Sequence, residues 1–169
     1  MVVIGIDGGL TGAIAFLHPD RAIVVDLPTV PLDVGGVVQR RVHGPALASI
    51  VRQFCPRGEP ILAVVEDLAT GGQGSMAQTN NSQYRTRGTI ECALEMLGLE
   101  VKAVPPQRWK KMYGLVANRK SLSKPGKKDS LALARELYPA LSQGELRLAL
   151  HHNRAEAALI AHWARKVLA

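Results

Sequence analysis

"VVIGIDGGLTGAIAFLHPDRAIVVDL" (2–27) holds three apolar runs, 2–7, 12–17 and 22–27, rich in β-branched residues and separated by short turns containing glycine or proline. Runs of that length, joined that tightly, pair with their sequence neighbours, so the spacing predicts a three-stranded antiparallel meander. The first run ends on Asp7, directly before Gly8 and Gly9. A carboxylate at the end of an otherwise apolar strand needs a cation or a set of hydrogen bonds. An aspartate before Gly-Gly is also ordinary turn chemistry, so the remaining chain has to decide between the two readings.

"ALASIVRQF" (46–54) has helical spacing, with Ala46, Ile50, Val51 and Phe54 on one side. "ILAVVE" (61–66) is a continuous apolar run, as in a central strand covered on both faces, and it ends on Glu66. A polar, glycine-rich stretch, 67–83, leads into a helix expected near 86–98 and closed by Gly98. "EVKAV" (100–104) reads as a strand, and "PPQRWKKMYG" (105–114) as a short helix entered through prolines. A basic loop, 116–126, precedes two helices, "KKDSLALARELYP" (127–139) and "NRAEAALIAHWARKVL" (153–168). No internal repeat or linker interrupts this order, which implies one mixed α/β domain over 1–169.

The 169 residues suffice for one domain with a true core. A chain 47% hydrophobic and 21% charged reads as an ordinary soluble protein. No stretch approaches the roughly 20 apolar residues of a spanning helix, and "MVVIGIDGG" lacks the basic start of a signal peptide. Cys55 and Cys92 have no metal-ligand spacing and suit a reducing compartment. The expectation is a cytoplasmic protein with no membrane partner. The formal net charge of +7 and pI near 9.8 call for an anionic partner. Residues 102–128 hold nine of the 21 Lys and Arg and not one Asp or Glu. Solvated basic faces ordinarily carry acids too, so this bias points to nucleic acid.

Glu156 stands early in the last helix, behind His151, His152 and Asn153. His152 and Glu156 are spaced i, i+4 on one helical face, and Asn153 with Glu156 at i, i+3 is nearly as close. If Asp7 and Glu66 end neighbouring strands, their charges repel unless a metal ion lies between them. Carboxylate oxygens suit magnesium and manganese, and manganese better tolerates an added imidazole. Two such ions roughly 4 Å apart can stabilise the attacking and leaving oxygens of phosphodiester hydrolysis. Each residue alone has a plainer reading: Glu66 as a capped strand end, Glu156 paired with Arg154 or Arg165, the histidines in solvent.

Taken in order, these segments resemble the RuvC-type Holliday-junction resolvases of the RNase H-like superfamily, in a form similar to its phage and prophage branch. "IGIDGGLTGAIAFL" looks like that family's opening hairpin, and "VVEDLATGGQGSMAQTNNSQYRTRGTIECAL" its second motif. "VPPQRWKKMYG" resembles the following strand and basic turn, "KKDSLALARELYP" the lysine-led helix, and "NRAEAALIA" the terminal acidic motif. The resemblance implies an RNase H-like mixed five-stranded sheet with helices on both faces. It also implies a magnesium-dependent crossover junction endodeoxyribonuclease with two ions per site, manganese substituting. The metal ligands would be Asp7, Glu66, Glu156 and a fourth residue. The family has a second acid in its last motif where this chain has His151, His152 and Asn153, and His152 is the favoured ligand. Lys110 and Lys128 resemble the lysines that neutralise the scissile phosphate, Lys128 being the one counted as catalytic. DNA contacts are expected from Met76 and Tyr84 at the junction centre, and from Arg85, Arg87, Lys110, Lys111, Arg119, Lys120, Lys124, Lys127 and Lys128. A homodimer is implied, with the stripe Ile90, Leu94 and Leu97 as its natural interface. A non-catalytic junction-binding protein, or another RNase H-like nuclease, would share these features. "DGGLTG" also resembles the phosphate loop of sugar kinases, but those need a second phosphate loop and subdomain. No G-x-x-x-x-G-K-[ST] loop is present either, so no nucleotide cofactor is expected.

Overall fold

A computed structural model describes residues 1–67, 77–116 and 126–169, without the side chains of residues 34, 77–80 and 127. The opening meander forms as its spacing predicts: β1 (Val2–Asp7), β2 (Ala13–Leu17) and β3 (Ala22–Asp26) pair antiparallel in sequence order. Next come a separate hairpin, β4 (Thr29–Val34) and β5 (Val37–Val42), and helix α1 (Gly44–Phe54). The apolar run becomes β6 (Ile61–Glu66), parallel to β1 and followed by α2 (Ala77–Glu95). Strand β7 (Val101–Val104) runs parallel to β6. Helices α3 (Pro106–Met112), α4 (Lys127–Leu137), α5 (Pro139–Ser142) and α6 (His152–Val167) complete the chain. The result is a mixed five-stranded sheet of order β3-β2-β1-β6-β7 with helices on both faces.

Alternation along the central strands divides two cores. Ile4, Ile6, Ala63 and Val65 face one way and pack with Leu47 and Val51 of α1 and Ile90 and Leu94 of α2. Val3 and Val64 face the other way and pack with Trp109, Leu131 and the alanine-rich side of α6. Ile90 and Leu94 are fully buried within the chain, and Leu97 packs against the same cluster. The stripe expected to receive a second copy is therefore internal, because the sheet needs an apolar cover on that side.

Two further elements differ from expectation. The hairpin β4–β5 was unforeseen, since Pro31 and a charged second strand mask its alternation. Its signal was Gly35-Gly36, both at positive φ (61° and 82°), the turn conformation that a two-residue hairpin favours. Helix α2 begins at Ala77, not at 86, because its first turns are polar and lack the apolar period that marks a helix.

Helix α6 lies unusually close to the sheet. A Cβ added at Gly5 in β1 would stand 2.3 Å from the Ala161 amide nitrogen and 2.5 Å from the Ala157 carbonyl oxygen. Only glycine on the strand facing alanines on the helix permits that approach. Gly5→Ala should therefore force the two elements apart and cost about 3 kcal/mol or more in chemical denaturation. Gly88→Ala, on an open face of α2, should be neutral or stabilising by up to about 1 kcal/mol. Equal stability of wild type and Gly5→Ala would contradict the packing.

Candidate active site

Asp7 and Glu66 end the two central parallel strands. The β1–β6 register pairs Ile6 with Val65, so one further step sets Asp7 beside Glu66. Neighbouring strands lie about 4.8 Å apart. By alternation Asp7 shares the face of Val3 and Gly5, and Glu66 that of Val64, which is the face α6 covers. Both carboxylates are buried, at 8% and 4% exposure. Glu156, in the second turn of α6, comes from the opposite wall and is partly buried.

Three acids here share few counter-charges. Burial, reinforced by the charges of Glu66 and Glu156, pushes the Asp7 carboxyl up to about 7, although the Gly9 amide and Lys110 pull the other way. Burial also raises Glu66, while Lys110 and the Trp109 indole oppose that rise. The Lys110 ammonium lies 3.3 Å from Glu156 Oε2 and 4.0 Å from Glu66 Oε1. The Trp109 indole donates to Glu66 Oε1 at 2.9 Å, and the Ser130 hydroxyl to Glu156 Oε1 at 3.3 Å. Among the described residues no three His, Cys, Asp or Glu side chains are closed into a ready-made metal cage. The donor set nonetheless fits a hard divalent cation: oxygen ligands, buried, mutually repelling and under-compensated by one lysine.

The structure distributes the remaining candidates differently from one another. Lys110 stands at the carboxylates, whereas Lys128 is exposed on the first turn of α4. On α4 it is Ser130 that reaches Glu156. Arg87, expected on DNA, is ion-paired with Asp67 and, at 2.8 Å, with Glu91. It therefore ties the segment after Glu66 to α2, because two adjacent carboxylates hold its guanidinium. Tyr84 is 57% exposed and lines a cavity of about 230 Å³ with Gly8, Glu66, Asp67 and Arg87. Arg85 and Lys111 are exposed. Met76, Arg119, Lys120 and Lys124 lie outside the described residues, as does the side chain of Lys127.

The three residues before Glu156 also separate. Asn153 Nδ2 donates to the Thr11 carbonyl at 2.6 Å and to its hydroxyl at 3.0 Å, clamping α6 to the turn after Asp7. His151 precedes the first residue of α6, and its Nδ1 accepts from the Leu148 amide at 3.3 Å. His152 is partly buried and lines a cavity of about 560 Å³ with Thr11, Gly12, Asp26 and Arg40. Arg154 grips Asp26 through two contacts of 2.6 Å, not Glu156. Trp109 and Ser130 went unread because an apolar ring and a small hydroxyl inside helices look like ordinary filling. The pairing of Trp with the basic Lys110-Lys111 in "RWKK" was the available hint.

No family model matches the chain. Over 68 residues, 40% of the chain, it is 44% identical to Holliday junction resolvase MOC1, chloroplastic, of Chlamydomonas reinhardtii, and spans only 7% of that protein's length. Its fold is that of RuvC from Thermus thermophilus. One structure of that protein aligns with a TM-score of 0.53 and 18% identity over 98% of this chain and 96% of the other. Another, solved in complex with a Holliday junction substrate, gives 0.55 and 16% over 99% and 97%.

The raised Asp7 has a direct consequence for stability. Its folded-state value lies above the unfolded 3.8, so ionising it opposes folding, with no penalty below about pH 4 and the full one above about pH 7. In EDTA, Asp7→Asn should stabilise the chain at pH 8 by up to a few kcal/mol and raise its unfolding temperature by several degrees. The gain should vanish near pH 4. Destabilisation at pH 8 would contradict the crowded-carboxylate site.

Proposed function

We propose that this chain is a RuvC-type Holliday-junction resolvase, a metal-dependent, structure-selective endonuclease that hydrolyses phosphodiesters in four-way DNA junctions by paired nicks. The observation that carries this reading is the pair of buried strand-end carboxylates, Asp7 and Glu66, faced by Glu156 with Lys110 between. The RuvC fold and the local identity to a Holliday junction resolvase support it. So does the excess of basic residues over 102–128.

Asp7, Glu66 and Glu156 would hold magnesium, two ions per site, with His152 as the fourth ligand and manganese as a substitute. Such ions, when bound, would supply an activated water and charge stabilisation at the scissile phosphate. The chain's own groups do the rest. Lys110, already at the carboxylates, meets the phosphate's negative charge. Ser130, which donates to Glu156, fixes the orientation of that carboxylate. Tyr84, exposed beside Glu66, offers a ring on which an unpaired base can stack. Symmetric nicking needs two sites related by a two-fold axis, so the active form is a homodimer. Its interface would use a surface other than the buried Ile90–Leu94 stripe. Among the described residues no helix is long and apolar enough to cross a membrane, and the proposed setting is the cytoplasm, on DNA.

Labelled four-way junction, linear duplex and RNA–DNA hybrid, each with magnesium or EDTA, test the proposal. Paired nicks on the junction alone, only with magnesium, are expected. Junction binding without cleavage would favour a non-catalytic binder, and cutting of the hybrid another RNase H-like nuclease. Asp7→Asn, Glu66→Gln and Glu156→Gln should each lower cleavage roughly a hundredfold or more while binding survives. Binding should weaken with salt by about 0.9 in log K per log salt for each phosphate contact on the duplex arms. His152→Ala should slow cleavage strongly, and His152→Asp should restore much of it. Wild-type rates in His152→Ala would remove that residue from the ligand set.

A further inference from the structure

Trp109 is an unusual occupant of the site's wall. It is fully buried, yet its one polar atom is directed at a catalytic candidate, donating from Nε1 to Glu66 Oε1 at 2.9 Å. The Lys110 ammonium lies 4.9 Å from the centre of the Trp109 ring, within cation–π range, while reaching toward Glu66 and Glu156. Tyr113, one turn on, meets the same indole edge-on at 6.4 Å and donates its hydroxyl to the Leu159 carbonyl of α6 at 3.3 Å. A continuous line of contacts therefore runs from the β6 acid through α3 to the helix that carries Glu156.

We infer that Trp109 is a positioning residue for Glu66, its indole N–H fixing the rotamer of that carboxylate and its ring seating Lys110. The bond distinguishes the two carboxylate oxygens. Oε1 accepts the indole N–H and stands 4.0 Å from Lys110, so Oε2 would be the less encumbered oxygen toward a cation. A ligand held in this way loses less rotamer freedom on binding a cation, which is how groups behind metal ligands tune affinity. Phenylalanine would fill most of the space and keep a ring under Lys110, but would release the carboxylate. The inference rests on the reading of Asp7, Glu66 and Glu156 as a metal site.

The test is magnesium binding by isothermal titration calorimetry, without DNA. Wild type should bind, and Trp109→Phe should bind about 10–100-fold more weakly, with its metal-free unfolding temperature lowered by only a few degrees. A junction Kd in EDTA equal to that of wild type should accompany this. Equal magnesium affinity in the two proteins would overturn the positioning role while leaving the metal site intact. No binding by wild type would remove the metal reading itself, and the inference with it. A second arm covers misfolding of Trp109→Phe. The chain has two tryptophans, so Trp163→Phe leaves Trp109 as the sole indole. Its near-ultraviolet circular dichroism should change as magnesium is added, and Glu66→Gln should abolish the change. A silent spectrum in a protein that calorimetry shows to bind magnesium would also overturn the inference.

Discussion

The contact on which the site depends is the close approach of α6 to β1 at Gly5. Backbone meets backbone there: a single added methyl would fall within 2.5 Å of both the Ala161 nitrogen and the Ala157 oxygen. Asp7 lies two residues along the same strand face, and Glu156 is next to Ala157 on the helix. Moving α6 outward by the width of a side chain would withdraw Glu156 from Asp7 and Glu66. The alanines along α6, fully buried at 157, 158, 161 and 164, thus serve geometry as much as packing. They hold the helix close enough for a carboxylate from one layer to join two from another.

That proximity sets the electrostatics. Burial and mutual repulsion raise the proton affinity of Asp7 and Glu66, and Lys110 offsets only part of it. A site in that condition is receptive to divalent charge. The surroundings are correspondingly braced. Asn153 ties α6 to Thr11 in the turn after Asp7, Arg87 ties Asp67 to α2, and Trp109 holds Glu66. Glu66, Glu156 and the turn after Asp7 are thus each held by a bond from another element.

Much of this was legible in the sequence, for reasons that also explain what was not. The meander, the central strand and the last helix follow from apolar periodicity, and Asp7, Glu66 and Glu156 stood out because a charge at the end of an apolar segment needs an explanation. The hairpin β4–β5 was missed because its alternation is broken by Pro31 and by charged residues. The start of α2 was missed because a solvent-facing polar turn has no period to read. Arg87 was expected on DNA because a sequence shows charge but not partners; folding places Asp67 and Glu91 against it. The apolar stripe of α2 could equally have faced a second copy or the sheet, and only the three-dimensional packing assigns Ile90 and Leu94 to the core. Trp109 and Ser130 owe their importance to what lies across from them, 43 and 26 residues away in sequence.

The central claim is that a helix carboxylate and two strand carboxylates make one cation site. Manganese binding followed by loss of the free-ion electron paramagnetic resonance signal tests it directly, with wild type compared with Glu156→Gln. If the three acids act as one site, wild type takes up manganese and loss of the α6 carboxylate weakens uptake at least about tenfold, although Asp7 and Glu66 are untouched. Identical manganese affinity in the two proteins would contradict the account.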